Sequence, residues 1–177
     1  AHIQGGEVTG NIDEKVRHAI TKLADYHFIA SENAKNRVIQ LGENPEMVFN
    51  TGCPSIDIAE EVAKSTQLTF NPYEKYGGVG SQPDLNNGYI VVMQHPVTNE
   101  YQDSRKHIEA TLRTIQKINR PTLWFWPNVD AGADGTSSGI RSFREKYKMG
   151  NVHFFKNMEG DDFLNLLNHS LCLIGNS

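Results

Sequence analysis

The sequence predicts an α/β protein in which parallel strands alternate with amphipathic helices. From residue 89 onward, apolar runs of strand length are separated by segments with the three- and four-residue spacing of helices. This alternation is typical of right-handed strand–helix–strand crossovers, which build a parallel sheet covered on both faces. The part before residue 70 shows the same alternation less completely.

The first elements are predicted from local signals. Apolar residues recur at helical spacing over 12–24, and a short apolar stretch over 26–30 predicts a buried strand. A helix follows, with Ser31 as its cap and Gly42 at its end. The segment "MVFNTGCPSID" predicts a strand that runs into a Gly-Cys-Pro turn, and residues 57–68 are predicted to be helical.

Residues 70–88 differ from the rest, because they concentrate Gly, Pro and Asn without sustained periodicity. We predict a linker or hinge here. Strands are predicted after it at 89–96, 122–128, 151–156 and 171–177, with helices at 103–118, 137–149 and 160–169.

Composition narrows the class of protein. Over 177 residues, 38% are hydrophobic and 21% charged, as in ordinary globular proteins, and the net charge of −4 argues against a partner nucleic acid. No apolar run approaches the ~20 residues of a membrane span, so no membrane partner is expected. Cys53 and Cys172 lie far apart in apolar stretches, which predicts reduced thiols and a cytoplasmic location. The sequence lacks metal-binding spacings such as HExxH, so no metal site is expected.

Polar residues follow each predicted strand of the second half, at the edge where parallel sheets bind their ligands. They are His95, Asn128, Lys156 with Asn157, and residues 175–177. Hydrogen-bonding groups at neighbouring strand tips favour a nucleotide or sugar-phosphate ligand.

The first twenty residues contain a second candidate site, around a Gly-Gly turn and the opening turns of a helix. Its side chains are His2, Gln4, Glu7, Asp13, Glu14, Arg17 and His18. Helix residues four apart share a face, so carboxylates are expected beside an arginine and an imidazole. Such a set can perform general acid and base chemistry on a polar substrate, and a solvated helix face has the same spacing. Both interpretations stay open at this point.

Five segments occur in a recognisable order and approximate spacing: "HIQGGEVTGNIDEKVRHAITKLADYHF", "TGCPSID", "QHPVT", "PNVDAG" and "LIGNS". They resemble the hydrolysing UDP-N-acetylglucosamine 2-epimerases, the sialic-acid-pathway branch of the UDP-GlcNAc 2-epimerase family. The resemblance implies a GT-B-like fold, with two Rossmann-like parallel-sheet domains and a cleft between them, of which this chain is a partial copy. Residues 1–60 would end the N-terminal domain, 61–84 form the linker, and 85–177 begin the UDP-binding C-terminal domain.

The resemblance also implies UDP-GlcNAc as substrate, no cofactor, and a homodimer in the full-length protein. The implied catalytic residues are Asp13, Glu7, Glu14 and His95. The implied substrate-binding residues are Gln4, Arg17, His18, His95, Asn128, Met158 and Ser177. Gln4 departs from many relatives, which have a catalytic glutamate at this position.

In the implied reaction, the proton on sugar carbon 2 is removed while UDP leaves from carbon 1, giving 2-acetamidoglucal. Water then adds to give N-acetylmannosamine. Asp13 would be the base, His95 the clamp on the leaving UDP, and Glu7 or Glu14 the group that guides water. We expect the isolated 177 residues to have no epimerase activity.

Three alternatives remain open at the level of sequence. One is the non-hydrolysing UDP-GlcNAc 2-epimerase, and another is a relative that acts on a UDP-2,4-diacetamido-trideoxyhexose on the route to legionaminic acid. The third is a nucleotide-sugar binding module without catalysis, which Gln4 would favour.

Overall fold

The fold is described from a computed structural model, which covers residues 1–10, 12–127 and 132–176. The chain divides into two compact units, Ala1–Glu61 and Val62–Ser177. In each unit, helices connect parallel strands, so the predicted α/β fold class is confirmed.

The first unit contains a three-stranded parallel sheet in the order β1-β2-β3. Its strands are β1 (His2–Ile3), β2 (His27–Ile29) and β3 (Val48–Asn50), and its helices are α1 (Ile12–Leu23), α2 (Glu32–Gln40) and α3 (Pro54–Val62), with a 3-10 turn at Pro45–Met47. The Ser31 hydroxyl caps α2 by accepting a hydrogen bond from the Ala34 amide at 3.3 Å. A small apolar core forms where α2 packs on β2 and β3, from Ile29, Ala34, Val38 and Val48.

Helix α1 is found where its periodicity predicts, but its apolar stripe faces outward in the first unit. The side chains of Ile12, Val16 and Ile20 are 57%, 53% and 44% exposed, whereas Thr21 on the opposite side is buried. The inner side of the helix therefore presents polar groups to the turn that follows β1.

The second unit contains a five-stranded sheet in the order β4-β7-β6-β5-β8, parallel except for β4. The strands are β4 (Val79–Gly80), β5 (Ile90–Met93), β6 (Thr122–Phe125), β7 (Val152–Phe155) and β8 (Cys172–Gly175). The helices are α4 (Pro72–Tyr76), α5 (Ser104–Ile118), α6 (Ala133–Lys146) and α7 (Gly160–Asn168), with a 3-10 segment at Thr98–Asp103.

The core of the second unit lies on both faces of its sheet. Alternate residues of a strand point to opposite faces, so Val92 and Trp124 pack beneath α5 and α6, while Val91 and Leu123 lie on the other face with Leu166 of α7. Strands β6 and β7 are buried along their whole length, as a sheet covered on both faces requires.

Three predicted boundaries differ from the structure. The helix expected over 57–68 is α3, which begins at Pro54 because proline suits the first turn of a helix. The helix expected over 137–149 begins earlier, at Ala133, and its glycines serve helix packing: a Cβ on Gly139 would lie 2.6 Å from Ile108 of α5. Residues 62–84 of the expected linker belong to the second unit, where they include α4 and β4.

Candidate functional site

The strand order of the second sheet creates a topological switch point between β5 and β8. The chain passes from β5 outward through β6 to β7, and then returns to the other side of β5 to form β8. Doubly wound sheets bind their ligands at the carboxyl ends of the strands that flank such a reversal of strand order. The residues that follow β5 and β8 are therefore the leading candidates for a binding site.

His95 and Asn176 meet at this switch point. The His95 amide donates a hydrogen bond to Asn176 Oδ1 at 2.9 Å, and Asn176 Nδ2 donates to the His95 carbonyl, also at 2.9 Å. The two strands approach closely just before, since a Cβ on Gly175 would clash with the Met93 carbonyl oxygen. The structure thus places His95, which the sequence predicted as a site residue, at the switch point between β5 and β8.

A buried acceptor lies beside His95. The side-chain oxygen of Gln94 is buried and has no hydrogen-bond partner within residues 1–10, 12–127 and 132–176. Buried polar atoms are nearly always paired with protein, water or ligand. The end of β5 is therefore a place where a donor from a bound molecule would be stabilised.

The tip of β7 carries a second group of polar residues. Lys156 and Asn157 line a surface pocket of about 220 Å³ together with Tyr76 and Val79. Met158 lies next to them in sequence but is only 9% exposed, because its side chain packs in the core cluster that contains Phe155. The predicted site residues Asn128 and Ser177 lie outside the residues that the structure describes.

In the first unit, Gln4 occupies the turn directly after β1. Its φ angle is 62°, a left-handed conformation that is uncommon for a residue other than glycine. Two hydrogen bonds hold it there. The main-chain N–H of Gln4 donates to the Phe28 carbonyl at 2.8 Å, and its side-chain Nε2 donates to Cys53 Sγ at 2.9 Å. Because Cys53 follows β3, its hydrogen bond with Gln4 links the end of β1 to the end of β3. Cys53 was not among the predicted site residues.

Glu14 and Arg17 fasten the turn after β1 to helix α1. One oxygen of the Glu14 carboxylate accepts hydrogen bonds from the amides of Gly10 at 2.7 Å and Thr9 at 2.9 Å, and these bonds lower the pKa of Glu14. Arg17 Nη1 donates to the Glu7 carbonyl at 3.0 Å. Both side chains therefore stabilise the main chain of residues 7–10, in addition to the catalytic and substrate-binding roles predicted for them.

Two imidazoles lie on the inner side of α1. Burial lowers the pKa of His2, and electrostatic interactions with His27 and Arg17 lower it further, while His2 Nδ1 lies 3.0 Å from Thr21 Oγ1. His18 Nε2 lies 3.7 Å from Glu14, and its Nδ1 is buried without a partner among the described residues. Glu14 and His18, which are four residues apart, thus lie close together on α1, and Asp13 is exposed on the same helix.

The residues that the structure describes contain no group of three or more His, Cys, Asp or Glu side chains that could hold a metal ion. In the same part of the chain, no helix is both long enough and apolar enough to cross a membrane.

Comparison with known proteins identifies relatives along the whole chain. Residues 1–177 match the family described as UDP-N-acetylglucosamine 2-epimerase. A protein of Legionella pneumophila, named UDP-N,N'-diacetylbacillosamine 2-epimerase (hydrolyzing), is 31% identical over 176 residues, which are 99% of this chain and 44% of the relative. The polysialic acid biosynthesis protein P7 of Escherichia coli is 36% identical over 182 residues, with 99% of this chain and 43% of the relative covered.

Solved structures show the same fold at lower sequence identity. A UDP-GlcNAc 2-epimerase from Neisseria meningitidis, solved with UDP-GlcNAc, is 18% identical with a TM-score of 0.71, covering 99% of this chain and 47% of its own. A complex of MnaA from S. aureus with UDP is 18% identical with a TM-score of 0.70, covering 99% of this chain and 45% of its own. This chain spans less than half the length of these relatives. Because the family match extends over every residue, the chain belongs to the UDP-N-acetylglucosamine 2-epimerase family.

Proposed function

We propose that this protein is a hydrolysing UDP-GlcNAc 2-epimerase that converts UDP-N-acetylglucosamine and water to N-acetylmannosamine and UDP for sialic acid biosynthesis. The observation that carries the proposal is the family match over residues 1–177. The hydrolysing branch is supported by the names of two relatives, from Legionella pneumophila and Campylobacter jejuni, that are 31% and 30% identical. The sialic acid pathway is supported by the 36% identity to the polysialic acid biosynthesis protein of Escherichia coli.

In this proposal, residues of the second unit bind the UDP part of the substrate. As UDP leaves from carbon 1, negative charge develops on the diphosphate, and hydrogen-bond donors fixed in advance stabilise such charge best. His95 at the switch point between β5 and β8 is the proposed clamp on this leaving group. Ser177 is the proposed contact to phosphate, and Asn128 and Met158 are the proposed contacts to uridine or ribose. Homodimer formation and a cytoplasmic location belong to the same proposal.

In the same proposal, residues of the first unit act on the sugar. A base removes the proton on carbon 2 as the bond from carbon 1 to UDP breaks, and the electron pair forms the double bond of 2-acetamidoglucal. Water then supplies a hydroxyl to carbon 1 and a proton to carbon 2. Asp13 is the proposed base, with Arg17 and His18 as substrate-binding neighbours on the same helix. Gln4 is a proposed binding residue, because its carboxamide does not transfer protons near neutral pH.

The structure favours Glu7 over Glu14 as the group that guides water. The Glu14 carboxylate already accepts two backbone hydrogen bonds, which lower its pKa and make it a weaker proton acceptor. Glu7 is held by Arg17 through its main-chain carbonyl, so this bond leaves the Glu7 carboxylate uncommitted.

The proposal is tested by incubating the full-length protein with UDP-GlcNAc and identifying the products by NMR. Free N-acetylmannosamine and UDP are expected, whereas accumulation of UDP-N-acetylmannosamine would show a non-hydrolysing enzyme. Asp13→Asn and His95→Ala are each expected to slow UDP release by about 100-fold or more. Asp25→Asn and His107→Ala make the same changes elsewhere on the chain and serve as controls; near-native rates in the first pair would remove those residues from the mechanism.

A second candidate substrate is a UDP-2,4-diacetamido-trideoxyhexose. It is favoured by the Legionella pneumophila relative, whose name specifies UDP-N,N'-diacetylbacillosamine. The ratio of kcat/KM for the two donors, measured on the same preparation, decides between them. Binding of UDP without turnover of either donor would instead indicate a nucleotide-sugar binding module.

A further inference from the structure

We propose that Asn176 is a positioning residue that holds the main chain of His95 in place at the switch point. The inference rests on the proposed function in one respect, namely that His95 contacts the nucleotide. It begins from the two hydrogen bonds by which the Asn176 side chain binds both the amide and the carbonyl of His95.

The bonds continue the hydrogen-bonding pattern of the sheet. Leu171 N–H donates to the Tyr89 carbonyl on the β8 side of β5, whereas Ile90 N–H donates to the Pro121 carbonyl on the β6 side. Main-chain groups in a parallel strand alternate between its two neighbours, so odd-numbered residues of β5 face β8. His95 is odd-numbered, and its amide and carbonyl thus point to where a longer β8 would supply partners.

A side-chain amide can replace a main-chain partner because it has the same groups, one carbonyl oxygen and an N–H donor. Oδ1 of Asn176 accepts from the His95 amide, and Nδ2 donates to the His95 carbonyl. The regular register of β5 and β8 ends at Met93 and Gly175, two residues before His95 and one residue before Asn176. The Asn176 side chain thus completes the sheet after its backbone pairing has ended.

This substitution has a consequence for the site. If the main chain of residue 176 paired with His95, the β8 backbone would continue along the sheet past the switch point. Pairing through the side chain holds the main chain of His95 and does not require the backbone of residue 176 to continue the strand. Asn176 therefore acts on the nucleotide through His95, by preorganising it.

The decisive variant is Asn176→Asp, which keeps the size of the side chain and removes its N–H donor. The new carboxylate oxygen would face the His95 carbonyl, so that the hydrogen bond becomes a repulsion. Asn36→Asp makes the same chemical change at an exposed position of α2 and serves as the matched control. In the full-length protein, the His95 amide of N176D is expected to exchange with deuterium about tenfold faster than in the N36D control.

The effect on function separates positioning from simple structural support. With the thermal midpoint close to that of N36D, we expect N176D to weaken UDP binding by about tenfold and to lower kcat more than it changes KM. Exchange at His95 within about twofold of the control would overturn the proposal, and so would faster exchange with unchanged UDP affinity.

A measurement on the unmodified protein covers the case in which N176D does not fold. The side-chain amide protons of Asn176 are expected to exchange about tenfold more slowly than those of exposed Asn36, because one of them is hydrogen-bonded. Equal rates would overturn the proposal. These exchange measurements need no turnover, so a protein that fails to convert UDP-GlcNAc would refute the proposed function while the role of Asn176 is still decided.

Discussion

Gln4 and Gly6 both adopt left-handed backbone conformations in the turn after β1, with φ angles of 62° and 78°. The reasons differ. Gln4 has a side chain, so its conformation is held by hydrogen bonds to β2 and to Cys53, whereas Gly6 packs where a Cβ would clash with the Ala34 carbonyl of α2. Arg37 of α2 also donates to the Gly6 carbonyl at 3.2 Å. The turn is thus shaped by contacts within the first unit before any substrate binds.

The Gly6→Ala variant tests this account of the turn. We expect it to lower the free energy of unfolding by about 3 kcal/mol, because strain at positive φ adds to the clash with Ala34. Gly10→Ala is the control: φ there is 72°, but a Cβ would have no described atom within 4 Å, so only the backbone strain of about 1 kcal/mol is expected. Equal losses in urea denaturation would contradict the steric explanation.

The hydrogen bonds to Glu14 are expected to stabilise the turn in a way that depends on pH. Hydrogen bonds from Gly10 and Thr9 lower its pKa, so the stability they provide is present above the ordinary pKa of ~4.3 and is lost as the pH falls through the lower folded value. Glu14→Ala should therefore accelerate deuterium exchange at these two amides at pH 7, and the difference from wild type should shrink near pH 3. Exchange that is the same in both proteins at pH 7 would show that the carboxylate does not hold the turn.

At the scale of elements, short helix α4 is anchored to the start of α7 by one carboxylate. Asp162 accepts hydrogen bonds from Lys75 Nζ at 2.5 Å and from the Tyr76 hydroxyl, and the Glu159 amide donates to the same hydroxyl at 3.2 Å. Burial raises the pKa of Asp162, but the bonds from Lys75 and Tyr76 outweigh it and lower the pKa overall. The anchor holds an otherwise loop-like stretch onto the second unit.

This anchor predicts a pH dependence of stability. Because the folded pKa of Asp162 is lowered, its contribution is complete above the unfolded value of ~3.9 and disappears as the pH falls through the folded one. Asp162→Asn should be less stable than wild type at pH 7, and the gap should close near pH 3. Asp161→Asn lies in the same first turn of α7 and controls for the helix dipole; the same pH profile in both variants would refute the anchor.

The elements also show what sequence could and could not predict. The strands and helices after residue 89 follow from their periodicity because each is a buried strand or a helix with one apolar face. The start of α6 was placed too late because its Gly, Ser and Thr residues are typical of loops, and the close packing of Gly139 on α5 is visible only in three dimensions. Cys53 was missed as a site residue because its partner Gln4 is 49 residues away along the chain. Asn176 was predicted to lie at a strand tip, but its contact with His95, 81 residues away, could not be predicted from the sequence.

At the scale of the whole molecule, the two units differ in their cores. The first unit has one small cluster around Ile29 and Val48, while the second has apolar clusters on both faces of its sheet, with Trp124 and Phe154 fully buried on one of them. Apolar burial is the main source of stability, so the two units are expected to open at different free energies.

Deuterium exchange measured by mass spectrometry tests this difference. Peptides that contain β2 and β3 are expected to exchange at least about tenfold faster than peptides that contain β6 and β7. Equal protection would mean that the two units unfold as a single cooperative block. The same experiment with saturating UDP should slow exchange at the end of β5, if the nucleotide binds where the proposed function places it.

The two-residue strand β4 also affects how the protein behaves in concentrated solution. By pairing antiparallel with β7, it covers the outer edge of a strand that is otherwise buried and strongly apolar. An uncovered edge offers free amides and carbonyls to any extended chain nearby, and such edges are where proteins join into fibrils. Gly78 and Gly80 allow this cover to lie close, since a Cβ at either position would meet the backbone of β7 at 2.5 Å. Bulkier residues there would expose the edge and favour aggregation.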